Sequence, residues 1–152
     1  MPELTYRKGT EQEVDLLVST RMEAMAAMHG VEMSEELAGE IRDYYARALA
    51  DGSHVAYLVY DGDTFAGCGG ITFYQDMPTR ANPTGRVANI MNIYTVPVCR
   101  RRGVALQMVD LLVREARDRG VKVVTLDATD AGRPVYEKYG FKLMTSEMEL
   151  ML

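Results

Sequence analysis

The stretch that most constrains how this chain folds runs from Ala88 to Ala105: A-N-I-M-N-I-Y-T-V-P-V-C-R-R-R-G-V-A. A strand-like run ends at Pro97. The basic turn Arg100-Arg101-Arg102-Gly103 follows, and an amphipathic helix begins at once. Ala105, Met108, Val109, Leu112 and Ala116 recur at helical spacing, and Gly120 closes that helix. Beyond it, Val121 to Asp127 is again β-rich. Two strands joined through a helix pair naturally in parallel. A basic, glycine-containing turn at a helix N-terminus also builds an anion site, because N–H groups converge there and the helix dipole favours negative charge. A pyrophosphate is the anion that suits it best.

The remaining pattern completes an α/β order. Leu4 to Arg7 reads as a first strand. Thr10 with Glu13 has capping-box spacing, and Val14, Leu17, Val18, Met22 and Met25 form one apolar face up to Gly30. Ser34 caps a second helix, whose buried stripe is Leu37, Ile41, Tyr45, Ala48 and Leu49. His54 to Tyr60 and Thr64 to Tyr74 flank the hairpin signal Asp61-Gly62. Gly67, Gly69 and Gly70 in the second of these strands predict a bulge or a close backbone approach. Gln75 to Gly85 is a loop, Ala131 to Tyr139 a short helix, and Phe141–Leu143 and Ser146–Leu152 alternate as two last strands. The expected architecture is one mixed α/β (α+β) domain over residues 1–152, a central twisted mixed sheet with helices on both faces.

Bulk composition narrows the function. At 152 residues, 47% hydrophobic and 26% charged, the chain should be globular. A net charge of −5 argues against general nucleic-acid binding, so the arginine triplet is a local basic feature suited to one small anion. The N-terminus lacks an apolar signal core, and no apolar run suits a bilayer. Cys68 and Cys99 have no metal-type spacing and read as free thiols. A cytoplasmic protein without a metal and without membrane partners is expected.

Two segments resemble the GNAT superfamily of N-acetyltransferases. Arg100-Arg101-Arg102-Gly103-Val104-Ala105 resembles that family's Q/R-x-x-G-x-G/A motif, and Pro134-Val135-Tyr136-Glu137-Lys138-Tyr139-Gly140-Phe141 resembles its Y-x-K-x-G-F close. The wider run A-T-D-A-G-R-P-V-Y-E-K-Y-G-F is similar to one subgroup of these acetyltransferases. Together the motifs are far more specific than either alone.

The resemblance implies acetyl-CoA as acyl donor and a primary amine of a small molecule or peptide as acceptor. Backbone N–H groups from Arg101 to Ala105, with Val104 between them, would cradle the pyrophosphate, and the side chains of Arg100, Arg101 and Arg102 would add charge-assisted bonds. The pantetheine arm would lie against the main chain of Tyr94, Thr95 and Val96. Tyr136 matches the family's general acid, and a phenol with a pKa near ~10 can protonate a thiolate of pKa ~8.5. Thr129 and Gly132 stand where much of the family has Asn and Ala, and both keep coenzyme binding open. The family's glutamate on the fourth strand has no counterpart, since Asn89, Met91 and Asn92 occupy that strand. Asp127, Asp76 or solvent remain as the base. That gap motivates the alternative of a non-catalytic acetyl-CoA sensor.

Other residues carry simpler readings. Met22, Met25 and Met28 read first as core, and otherwise as the lining of an adaptable acceptor pocket. His29 and His54 read as surface or turn residues, and Cys99 as a turn residue rather than an acyl carrier. Arg133 is either a coenzyme contact or a helix surface charge. The last strands supply a means of homodimer formation, by extending a sheet across two copies.

Overall fold

The computed structural model describes residues 3–144 and 146–152. Strands β1 (Leu4–Lys8), β2 (His54–Asp61), β3 (Thr64–Gln75), β4 (Arg86–Thr95) and β5 (Val123–Leu126) form one sheet in chain order. The first three junctions are antiparallel, and β4 pairs with β5 in parallel. Helices α1 (Val14–His29) and α2 (Glu35–Asp51) cover one face. The other is covered by α3 (Val104–Asp118) and α4 (Arg133–Tyr139).

Local signals explain the element ends. Thr10 and Glu13 form a reciprocal capping box at a 3-10 turn that leads into α1. Ser34 Oγ accepts from Leu37 N at 3.1 Å and starts α2. Gly30 and Gly52 end the two helices in the left-handed conformation. The α3 face buries Met108, Val109, Leu112 and Ala116 against Val59, Ile71 and Ile90. The α1–α2 face buries Leu17, Val18, Tyr45 and Ala48 against Leu58 and Cys68. Each large side chain so buried contributes ~1.5–3 kcal/mol of transfer free energy.

The glycines of β3 mark close approaches. A Cβ on Gly67 would lie 2.3 Å from Tyr94 O, and one on Gly69 would lie 2.4 Å from Met108 Cγ. The β3–β4 register slips between Cys68 and Gly70, where β4 spends an extra residue. Asn92, inside that bulge, has φ +59°, a left-handed conformation that asparagine tolerates better than most residues.

Two expectations are corrected. Phe141–Leu143 and Ser146–Leu152 form no strand: the described residues after Gly140 carry no regular secondary structure. Their alternation suits a strand, but a strand also needs a hydrogen-bonded neighbour, and the strand pairings among the described residues do not include these segments. His54 is not a surface residue either. It is 4% exposed, and its Nδ1 lies 2.9 Å from Tyr44 Oη and 3.1 Å from Thr72 Oγ1. His29, by contrast, is exposed.

Gly67→Ala is expected to destabilise the fold by ~1–3 kcal/mol, because the clash is with backbone that cannot rotate away. Gly39→Ala, in open space on α2, is expected to stabilise by ~0.5–1 kcal/mol. Urea unfolding of both variants checks this opposition of sign. Burial lowers the His54 pKa from 6.5 to about 4. The unfolded chain therefore takes up a proton that the folded chain refuses, and this contribution is intact above pH 6.5 and lost as pH falls through 4. At ~1.4 kcal/mol per unit it reaches about 3 kcal/mol. His54→Gln should flatten the stability profile in that window relative to the parent chain; parallel profiles would contradict a buried neutral histidine.

Candidate active site

The basic turn takes the shape an anion cradle needs. Pro97–Cys99 form a 3-10 turn, Arg101 has φ +64° and Gly103 φ +78°. Two left-handed residues so close together curl the backbone and bring successive N–H groups to one side. The N–H groups of Arg101 and Gly103 donate to no acceptor among the described residues. Those of Val104 and Ala105 belong to the first turn of α3, which has no intrahelical partners. A Cβ on Gly103 would meet nothing within 4 Å, so its backbone conformation, rather than space, calls for glycine there.

The three arginines diverge in role. Arg100 Nε donates to Thr95 O at 3.1 Å, and Arg101 is exposed. Arg102 Nη1 donates to Asp61 Oδ2 at 2.5 Å, with both side chains mostly buried. This pair ties the turn to the end of β2.

Beside the turn lies a gap in the sheet. β4 and β5 pair only from Val87↔Val123 to Ile90↔Leu126. From Met91 to Thr95, β4 pairs with β3 at Met91, Tyr94 and Thr95, and among the described residues it has no strand on the other edge. The expected main-chain contacts need correction here. Tyr94 O faces Gly67 on β3. Val96 N donates to Ala66 O at 2.8 Å, and Val96 O accepts from Cys99 N at 2.9 Å. Strand alternation then turns Ile93 and Thr95, not Tyr94 and Val96, toward the vacant edge. Sequence reading missed Ile93, because the bulge at Asn92 resets which residues face outward.

After β5 the chain enters α4, which packs against α3. Tyr136 packs half-buried against the α3-side core, edge-to-face with Phe141 at 6.3 Å between centroids. Burial raises its pKa. Tyr139 Oη donates to Asp110 Oδ1 at 3.0 Å and holds α4 on α3. Thr129 Oγ1 accepts from Gly132 N at 3.1 Å, starting α4. A Cβ on Gly132 would come within 3.2 Å of the Tyr136 ring, so a glycine there lets the ring settle over the turn. Arg133 pairs with Glu137 on the helix surface. Asp127, directly after the last β4–β5 pair, is exposed, as is Asp76. Cys99 is a buried turn residue.

A cavity of about 270 Å3 opens on the opposite face, between α1, α2 and the β4 bulge. Tyr44, Tyr45, His54, Thr72, Met91 and Asn92 line it, with Ile41 on one wall and Arg21 and Glu40 adding charge. Met91 and Asn92 are also the first β4 residues beyond the β5 pairing. The cavity and the gap therefore meet across one strand. Among the methionines in question, Met22 packs into the core and Met28 is 64% exposed. A larger hollow of about 460 Å3 lies over Tyr6, Arg7, Tyr60 and Asp63, on the β1–β2 ribbon two strands from β4.

Known proteins share this fold. The family model described as acetyltransferase (GNAT) family matches residues 19–141. No curated protein sequence matches the chain. The crystal structure of a predicted acetyltransferase with acetyl-CoA from Clostridium acetobutylicum is 34% identical, with TM-score 0.91 over 98% of this chain and 96% of that one. A GCN5-related N-acetyltransferase from Ralstonia eutropha is 24% identical, with TM-score 0.84 over 99% of each chain. A glucosamine-6-phosphate N-acetyltransferase from Arabidopsis thaliana is 14% identical, with TM-score 0.74 over 98% of each. The last two are likenesses of fold. The family match and the first neighbour go further: this chain belongs to the GNAT acetyltransferase family.

Proposed function

We propose that this chain moves an acetyl group from acetyl-CoA to the primary amine of a small molecule, by direct attack with Tyr136 as general acid. The observation that carries the reading is the edge of β4 from Met91 to Thr95, left without a strand partner among the described residues and leading directly into the Arg101–Ala105 turn. An extended chain with amide groups can add to that edge as a strand does. Its phosphates would then meet unclaimed N–H groups and the N-terminal end of the α3 dipole. The acetyl-CoA named with the 34% identical neighbour supports this donor.

Acetyl-CoA supplies an activated thioester. As the amine nitrogen bonds to the carbonyl carbon, the carbon–sulfur bond breaks, and the departing thiolate takes a proton. Tyr136 is suited to give it: a half-buried phenol stays protonated at neutral pH, and its hydroxyl has no competing partner among the described residues. The amine's own proton has no carboxylate on β4 to receive it. Asp127, at the mouth of the gap, or water then serves as its acceptor. The phosphate contacts are Arg100, Arg101 and the backbone from Arg101 to Ala105. Arg102 braces the turn through Asp61.

The 270 Å3 cavity is the acceptor's side of the site. Its aromatic and methionine lining fits an amine with an apolar body, and Glu40 and Arg21 offer charge at the walls. The Arabidopsis neighbour, named for glucosamine-6-phosphate, is a precedent for a small amine on this fold. Residues 1–152 act as one acyl-CoA N-acyltransferase domain. The free, buried Cys68 and Cys99 fit a reducing cytoplasm.

Saturating acetyl-CoA is expected to raise the melting temperature, with NAD and ATP giving no comparable rise, because a ligand bound only by the folded state stabilises it. A panel of small amines should then release free thiol. In Tyr136→Phe the kcat should fall by ~10²-fold or more while the acetyl-CoA affinity holds. Unchanged turnover would remove Tyr136 as the acid. Binding without turnover across the panel would favour a sensor.

A further inference from the structure

Two opposite charges line the cavity of about 270 Å3 on the α1–α2 face, Arg21 from α1 and Glu40 from α2. No ion pair joins them, and neither side chain has a hydrogen bond or ion pair to any described residue. Elsewhere between the same helices, Arg42 of α2 does pair with Asp15 of α1. Arg21 is half-buried, whereas Glu40 is exposed. The Arg21 charge is felt inside the wall: burial pushes Tyr45 and Cys68 up to about 12, and Arg21 acts on both in the opposite direction. A guanidinium drawn partly out of water without an anion loses hydration and gains no partner in return.

These features describe a ligand. A planar guanidinium takes a carboxylate through two parallel hydrogen bonds. Ile41, Tyr44, Tyr45 and Met91 make the rest of the wall largely apolar and aromatic, which suits an uncharged side chain. The volume is at the small end of ligand cavities, which run to ~300–1,000 Å3, so the body is small. A phosphate suits the site less well, because its second charge would meet Glu40 with one cation to offset both. A zwitterion is neutral overall, and Glu40 favours the approach of its ammonium.

We infer that the acceptor is an α-amino acid with an apolar or aromatic side chain, its carboxylate held by Arg21 and its amine turned toward Met91 and Asn92. The direction of the amine rests on the proposed acetyl transfer: Met91 and Asn92 adjoin the β4 edge where the thioester would lie. The product is an N-acetyl amino acid. The nitrogen bonds to the carbonyl carbon and the carbon–sulfur bond breaks. Of the two protons the ammonium gives up, one is matched at the coenzyme sulfur and one goes to water. Arg21 touches the carboxylate and not the reacting atoms, so it sets specificity.

Isothermal titration of the protein saturated with coenzyme A reads this without turnover. Leucine, methionine and phenylalanine are each compared with the amine that lacks the carboxylate: isoamylamine, methylthiopropylamine and phenethylamine. At least one amino acid is expected to bind roughly tenfold or more tightly than its amine, as a charge-assisted pair allows. Arg21→Gln should abolish that preference, and Arg21→Lys, which keeps the charge, should restore part of it. The comparison on the parent chain decides even where a variant fails to fold. Thiol release from acetyl-CoA is recorded separately. Carboxylate-dependent binding without thiol release would support this inference and count against acetyl transfer. Amines that bind as tightly as all three amino acids, O-phosphoethanolamine binding more tightly than any of them, or a folded Arg21→Gln chain that keeps the preference would each overturn the inference and leave acetyl transfer standing.

Discussion

The site depends on one change of partner in the sheet. β4 keeps its antiparallel pairing to β3 on both sides of the bulge but gives up its parallel bonds to β5 after Ile90↔Leu126. The bulge at Asn92 sits at that point and alters the twist of β4 just where β5 stops. A strand edge with open hydrogen-bonding groups is normally a liability. Here it leads into a curled basic turn, and under the proposed function it serves as a linear binding surface. The glycines opposite make it feasible: Gly67 and Gly69 let β3 approach Tyr94 and Met108 more closely than any side chain would permit.

Around that edge the structure separates its tasks. Arg102 and Asp61 hold the turn, Tyr139 and Asp110 hold α4, and Thr129 starts α4. Exposed Arg101 and the N–H groups of the turn remain for a ligand. On the other face, Tyr44, Thr72 and His54 form a closed hydrogen-bonded group under the cavity, with Tyr44 Oη 2.7 Å from Thr72 Oγ1. Burial keeps His54 neutral, so it lends the cavity floor shape and dipole without charge.

Much of this was legible in the sequence because it rests on local rules. Capping residues, the stripe of α3 and the glycine cluster of β3 are signals with short-range causes, and each element they mark is present. Three features were not legible, each for a long-range reason. His54 has no distinguishing neighbours in sequence; its burial comes from α2 and β3 closing over it. The outward turn of Ile93 and Thr95 follows from a bulge whose position needs the β3 register. Arg102 looks like its two neighbours until the end of β2 brings Asp61 alongside. The final strands failed differently: Ser146–Leu152 has the right alternation, yet a strand is completed by a hydrogen-bonded neighbour, which alternation in sequence does not supply.

Amide hydrogen exchange, with and without saturating acetyl-CoA, tests the β4 edge most directly. The account predicts slowed exchange at Ile93 or Thr95 and at Gly103 to Ala105, with Tyr94 and Val96 unchanged because their main-chain groups already serve β3 and the following turn. Protection at Tyr94 and Val96 instead, or none along β4 with ligand bound, would contradict it.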